Sequence, residues 1–217
     1  MPKALLQLEL ALGEGVSDLR EISDIIKSDV GLTAQFLRLA FQESHRASDR
    51  VPSISELVIQ IGTGKLRTLL KDTPSVSTFL SSSVSSACER FWMHARLSAL
   101  IAEELASQTT GVQREDAYLA GLFCHFSSLP MLLGWEMADQ ETRDLGYLTA
   151  ELACSWGFPR QLVEVIHGSR HSCGTESRAL LDIAAAASTW AYRLEFLAAR
   201  ESGTCSALVS PSRLERG

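Results

Sequence analysis

Apolar residues recur at intervals of three and four along almost the whole chain, and this spacing most constrains the fold. The clearest stretch is residues 87–108, where Phe91, Leu97 and Leu105 follow the spacing of a long amphipathic helix. No stretch of useful length alternates apolar and polar residues as a strand does. Composition agrees, because Leu and Ala number 56 of the 217 residues and Val and Ile only 19. We therefore expect an all-α protein.

The helical segments fall into two groups along the chain. We expect an N-terminal helical lobe over residues 1–86 and a C-terminal helical bundle over residues 87–217. Within the second group, residues 114–126 are apolar nearly all round, so this helix is predicted to lie at the centre of the bundle. A sharp break is expected at Gly157, Phe158 and Pro159.

Charge and hydropathy exclude several classes of protein. The formal net charge is −6, with 20 Lys and Arg against 26 Asp and Glu, and no basic run exceeds two residues, so we expect no nucleic-acid partner. The longest apolar runs are far shorter than the roughly 18 residues that a membrane span requires. A hydrophobic share of 46% excludes intrinsic disorder.

The cysteines bear on the cellular compartment. There are five of them, and none forms a CxxC pair, so the pattern is neither a disulfide framework nor a zinc finger. Free thiols are typical of a reducing compartment, and the sequence has no secretory signal pattern, so we expect a cytoplasmic protein.

Four regions, taken in order, carry a family resemblance. They are ISDIIKSDVGLTAQFLRLA at 22–40, VPSISELVIQIGTGKLRTLL at 51–70, FWMHARLSALIAEELA at 91–106 with REDAYLAGLFCHFSSLPML at 114–132, and LTAELACSWGFPRQLVEVIHGSRHS at 148–172. Together they resemble the HDOD family, a relative of the HD-domain phosphohydrolases. The resemblance implies a two-lobed helical module with an HD-like C-terminal lobe.

The resemblance also identifies candidate site residues. Catalytic HD relatives hold a divalent metal through a His, an adjacent His-Asp pair and further His or Asp ligands. Here His94 matches the first His, Cys124-His125 stands in place of the His-Asp pair, and His167 and His171 fall near the last ligands. The carboxylate that suits a hard cation is missing from the pair. We therefore interpret these positions as vestigial, with no catalytic residue, metal or cofactor.

The chain departs from the family pattern at two further places. The family's closing His-His reads Gly168-Ser169 in this chain, and Phe41-Gln42 replaces the Asn-Ser that often follows Arg-Leu-Ala.

Two chemical alternatives remain open for the same residues. His94, Cys124 and His125, with His167 or His171, offer a nitrogen and sulfur ligand set of the kind that binds zinc. Cys124 as a nucleophile would need a neighbouring base and an oxyanion site. Its sequence neighbour His125 is a poor base for it, since adjacent side chains on a helix diverge by about 100°.

A second candidate site is a small basic cluster of Lys65, Arg67 and Lys71. It is either a solvated helix face or a contact for an anion or partner. The preceding Ile61–Lys65 stretch lacks the spacing of a phosphate-binding loop and follows no strand, so we interpret it as a glycine turn between helices.

The resemblance implies a function as well as a fold. We expect a non-catalytic bacterial signalling module that contacts partner proteins, such as the output domain of a two-component response regulator. One alternative is a divergent metal-dependent phosphohydrolase acting on a phosphodiester. Another is a module that binds a nucleotide second messenger. The sequence leaves the oligomeric state open.

Overall fold

The computed structural model describes residues 3–13, 18–44, 53–72, 82–129, 145–168 and 175–201. Within these ranges the chain is all-α and contains no strand, which confirms the predicted fold class. A short 3₁₀ turn covers Phe126–Ser128. The nine α-helices of these described ranges are α1 Lys3–Gly13, α2 Leu19–Lys27, α3 Val30–Ser44, α4 Ile54–Asp72, α5 Ser82–Ser107, α6 Arg114–Phe123, α7 Leu145–Ser155, α8 Arg160–His167 and α9 Thr175–Glu201.

Side-chain caps set the starts of the N-terminal helices. The Asp18 carboxylate accepts a hydrogen bond from the backbone N–H of Arg20 and caps α2. Ser53 and Glu56 form a reciprocal capping box at the start of α4, with distances of 3.0 and 3.1 Å. The predicted glycine break falls at Gly62, whose φ of 78° interrupts the α4 helix.

The main hydrophobic core joins the N-terminal helices to the later ones. Phe36, Leu37 and Leu57 belong to the same buried cluster as Phe123 and Phe158. Helix α5 continues without a break across residue 86, where the sequence suggested the end of the first lobe. The division into lobes at 86 and 87 stays a prediction.

A second, alanine-rich core holds α5, α6 and α9 together. A Cβ added at Gly121 in α6 would lie 2.7 Å from the carbonyl oxygen of Ser98 and 2.8 Å from the Cα of Ala99, both in α5. The absence of a side chain at Gly121 therefore lets the two helices approach closely. Small residues of α9, including Ala184 and Ala187, pack in the same cluster. No described helix has both the length and the hydropathy needed to cross a bilayer.

Candidate functional site

The candidate site is a polar cluster at the junction of α5, the end of α6, and α9. Ser188 Oγ of α9 lies 2.7 Å from Nε2 of His125 and 3.1 Å from Nε2 of His94. The other ring nitrogen of His94, Nδ1, lies 3.2 Å from the carboxylate of Glu195. The two imidazole rings have centroids 5.3 Å apart. A continuous chain of hydrogen bonds thus joins Glu195, His94, Ser188 and His125.

The local fold explains why these side chains converge. Helix α6 ends at Phe123, and His125 then takes a non-helical conformation with φ −113° and ψ 14°. Ser188 and Glu195 are seven residues apart, about two helical turns, so both lie on the face of α9 that meets α5. The close approach at Gly121 brings the end of α6 beside α5.

The hydrogen-bond distances fix the roles of the donors when both rings are neutral. Because a carboxylate only accepts, Nδ1 of His94 must carry the proton that is donated to Glu195. Nε2 of His94 then accepts from the Ser188 hydroxyl, whose oxygen in turn accepts from the Nε2–H of His125. The three hydrogen bonds among Glu195, His94, Ser188 and His125 can therefore all form while both imidazoles are neutral.

The environment of His125 favours its neutral form. Burial lowers the pKa of His125 below its usual value, and the neighbouring His94 lowers it further. Both effects disfavour the imidazolium, first because it would lose hydration and second because it would lie near another ring that can be charged.

Cys124 is turned away from this cluster. Its thiol donates to the carbonyl oxygen of Gly121 at 3.2 Å, and its side chain packs against the alanine-rich core. Burial raises the pKa of Cys124 to about 12. A thiol with this pKa holds almost no thiolate near neutral pH, so Cys124 lacks the character of a nucleophile.

The other predicted metal-site histidines lie elsewhere or outside the described residues. His167 is at the C-terminal end of α8, where its half-buried ring meets the ring of Tyr147 with centroids 6.4 Å apart. His171 lies outside the described residues. Of the five predicted positions, His94 and His125 are the pair that the structure brings into contact.

The donor set does not fit a hydrolytic metal centre. The two Nε2 atoms face a serine hydroxyl, and the carboxylate of Glu195 lies on the opposite side of the His94 ring, at Nδ1. Among the described residues, no three His, Cys, Asp or Glu side chains form a group that could hold a metal ion. A hard cation prefers carboxylate oxygens, but the carboxylate of this cluster, Glu195, lies at Nδ1 of His94 and away from the shared point of the two Nε2 atoms.

The predicted basic cluster lies on α4, beyond the Gly62 break. Lys65 and Lys71 are exposed, but the Arg67 guanidinium donates to the carbonyl oxygen of Leu12 at the end of α1. Arg67 therefore satisfies a terminal carbonyl of α1. Binding of an anion or partner at this cluster stays a prediction.

Sequence reasoning missed Ser188 and Glu195, which complete the cluster. The sequence does contain one signal for them. Ser188 and Glu195 are polar, lie seven residues apart and share a helix face with small residues, namely Ala184, Ala187 and Ala191. That pattern indicates close helix packing but does not identify the histidines that the pair would meet, because these lie 63 to 101 residues earlier in the chain.

The fold and the site together define an all-α module with a hydrogen-bonded histidine and serine cluster. The family model for the HDOD domain matches residues 1–144, and the chain belongs to the HDOD family. The resemblance seen in the sequence is thereby confirmed. The matched range ends before the Trp-Gly-Phe-Pro stretch at 156–159.

A solved structure of a response regulator resembles the chain in fold. The crystal structure of the MmoQ response regulator from Methylococcus capsulatus str. Bath has a TM-score of 0.62 and 17% identity, over 96% of this chain and 87% of that one. A putative metal-dependent phosphohydrolase from Shewanella amazonensis SB2B has a TM-score of 0.37 and 21% identity, over 95% of this chain and 77% of that one. No curated protein matches the chain.

Proposed function

We propose that this chain is a non-catalytic regulatory module of HDOD type that acts by contacting other proteins in the bacterial cytoplasm. Its role would be that of an output domain in a two-component response regulator. The observation that carries this proposal is the Ser188 hydroxyl, which lies at the shared point of His94 and His125. In a catalytic relative, a metal ion would have to be held in the corresponding place.

The chemistry of the cluster supports the non-catalytic role. Metal-assisted hydrolysis requires a bound cation that lowers the pKa of a water molecule. His125 replaces the carboxylate of the family's His-Asp pair, and the Glu195 carboxylate is engaged at the far side of His94. The likeness in fold to a protein described as a response regulator supports the signalling role.

A hydrolysis assay tests the proposal against a divergent phosphohydrolase. The intact chain would be incubated with bis(p-nitrophenyl) phosphate in the presence of manganese, iron or zinc, beside a His94→Ala variant. We expect the two proteins to release the same background amount of p-nitrophenol with each metal. Metal-dependent hydrolysis by the wild type that disappears in His94→Ala would refute the non-catalytic role.

A further inference from the structure

The last three turns of α9 expose an unusual number of large apolar side chains. Between residues 190 and 197, five such side chains are about half-exposed or more, and they define what we call the α9 apolar surface. They are Trp190 at 51%, Tyr192 at 69%, Leu194 at 46%, Phe196 at 48% and Leu197 at 51% of full exposure.

The helix that carries this surface is packed against the rest of the protein on its other face. Ala191, near the start of the segment, is completely buried, and Glu195 is hydrogen-bonded to His94 of α5. The exposed side chains therefore belong to a helix whose opposite face is packed. A surface of this kind loses little conformational freedom when it binds.

The spacing of the side chains suits contact with another helix. Trp190, Leu194 and Leu197 lie at positions i, i+4 and i+7, so they form one stripe along α9. Tyr192 and Phe196, four residues apart, form a second stripe on the other flank of the helix. Apolar anchors at this spacing are those that amphipathic helices use to dock.

The charges beside the surface are positive, although the whole chain carries −6. Arg193 and Arg200 are exposed, and the Arg193 guanidinium lies over the Trp190 ring, 5.4 Å from its centroid. From residue 190 to its end, α9 contains two carboxylates, Glu195, which is paired with His94, and Glu201, the last residue of the helix. The exposed charge at the α9 apolar surface therefore complements an acidic partner.

We propose that the α9 apolar surface docks an amphipathic helix of a partner protein, with aspartates or glutamates beside its apolar stripe. The proposal rests on the proposed function, since it names the surface through which the module would act. Trp, Tyr and Arg are the residue types that dominate binding energy at protein interfaces. A second copy docking through the same surface fits less well, because its exposed Arg193 and Arg200 would lie against those of the first copy.

Peptide binding to the intact chain tests the proposal. The probe is a fluorescein-labelled synthetic helix with leucines at i, i+4 and i+7 flanked by glutamates, and its control carries lysines instead. We expect fluorescence anisotropy to show binding of the acidic peptide and several-fold weaker binding of the basic one. Arg193→Glu should reduce or reverse this preference.

Two further variants separate the surface from general stickiness. The double change Trp190→Ala and Leu194→Ala should weaken binding of the acidic peptide at least about tenfold. Ile59→Ala, which removes a side chain 64% exposed on α4, should leave it unchanged. Circular dichroism would check that each variant is folded.

Three results would overturn the proposal. They are failure of the acidic peptide to bind below about 1 mM, equal binding of both peptides, and equal loss in Ile59→Ala. Self-association of the wild type in light scattering that the double variant abolishes would also overturn it, because the occupant would then be a second copy. None of these results affects the hydrolysis assay, so failure of this proposal is distinguishable from failure of the proposed function.

Discussion

Ser188 has one hydroxyl hydrogen, yet two imidazole nitrogens lie within hydrogen-bond distance of its oxygen. It can donate to only one ring and must accept from the other. Ser188 thus links His94 and His125 through one oxygen that lies within hydrogen-bond distance of both Nε2 atoms. At the residue scale, this one hydroxyl is the hydrogen-bond partner of the Nε2 atoms of both histidines.

Removing the link should destabilise the fold. In Ser188→Ala, both Nε2 atoms lose their partner inside a half-buried cluster, which we expect to cost about 1–3 kcal/mol of unfolding free energy. Thr189→Ala is the matched control, because that hydroxyl is exposed and bonds only within α9. Urea unfolding should place the control within about 0.5 kcal/mol of the wild type. Equal effects of the two changes would contradict the structural role of Ser188.

The lowered pKa of His125 predicts a dependence of stability on pH. As pH falls through about 6.5, the unfolded chain takes up a proton at this residue before the folded chain does. The stability from a neutral His125 is therefore complete above about pH 6.5 and is lost as pH falls toward the lower pKa of the folded state.

Thermal unfolding of His125→Gln measures this contribution. The glutamine amide can still donate to Ser188 but does not titrate. Between about pH 7.5 and about pH 5.5, we expect the melting temperature of the variant to fall less than that of the wild type. The same slope in both proteins would show that His125 is not perturbed by the fold.

Cys124 should resist alkylation in the native protein. Burial raises its pKa to about 12, so at about pH 8 it carries almost no thiolate. Cys154 is exposed on α7 and serves as the internal reference. Peptide mapping after iodoacetamide treatment should find Cys154 modified and Cys124 intact until the chain is unfolded. Modification of both at similar rates would reopen the nucleophile alternative.

At the scale of elements, the site depends on how closely α5 and α6 approach. Gly121→Ala would place a methyl group within 2.9 Å of Ser98, Ala99 and Ala102, so the helices must separate. We expect a loss of about 1–3 kcal/mol in unfolding free energy from this overpacking. The control is Gly64→Ala in α4, where nothing lies within 4 Å of an added Cβ.

Urea unfolding should give opposite signs for the two glycines. Gly64→Ala is expected to be neutral or to stabilise by up to about 1 kcal/mol, because alanine favours the helix. If Gly121→Ala proved as harmless as this control, the close approach of α5 and α6 would be refuted.

Helical spacing predicted the all-α fold class but not where every helix ends. Residues 114–126 were expected to form one helix, whereas α6 stops at Phe123 and a 3₁₀ turn follows. Apolar spacing continues through that turn because Phe126 packs edge-on against Phe123, with centroids 5.2 Å apart. A buried aromatic in a turn therefore looks like one more helical position.

The candidate site was only partly predictable, for a related reason. His94 and His125 were recognised through the resemblance, since the family motifs name those positions. Ser188 and Glu195 belong to no motif, and their role depends on a contact between α9 and α5 that local spacing does not encode. The positions that resembled the family were found, and the two α9 residues that hydrogen-bond to His94 were not.

At the scale of the whole molecule, aromatic residues tie the early helices to the late ones. The Phe158 ring lies 6.3 Å from Phe41 of α3, 6.0 Å from Phe123 of α6 and 5.8 Å from Trp156. Gly157 supplies the turn before it with φ of 80°, and a Cβ there would lie 3.3 Å from the Cβ of Phe41. The break predicted at 157–159 is thus also a packing junction.

The function proposed for the whole molecule requires the hydrogen-bonded cluster of Glu195, His94, Ser188 and His125 to lie where a catalytic HD relative would hold a metal ion. The most direct measurement is the metal content of the intact chain, purified without chelator and without a histidine tag, beside His94→Ala. Mass spectrometry of the digested protein gives iron, manganese and zinc per chain. We predict that all three lie far below one ion per chain and do not differ between the two proteins. A near-stoichiometric metal in the wild type that is lost in His94→Ala would contradict the account.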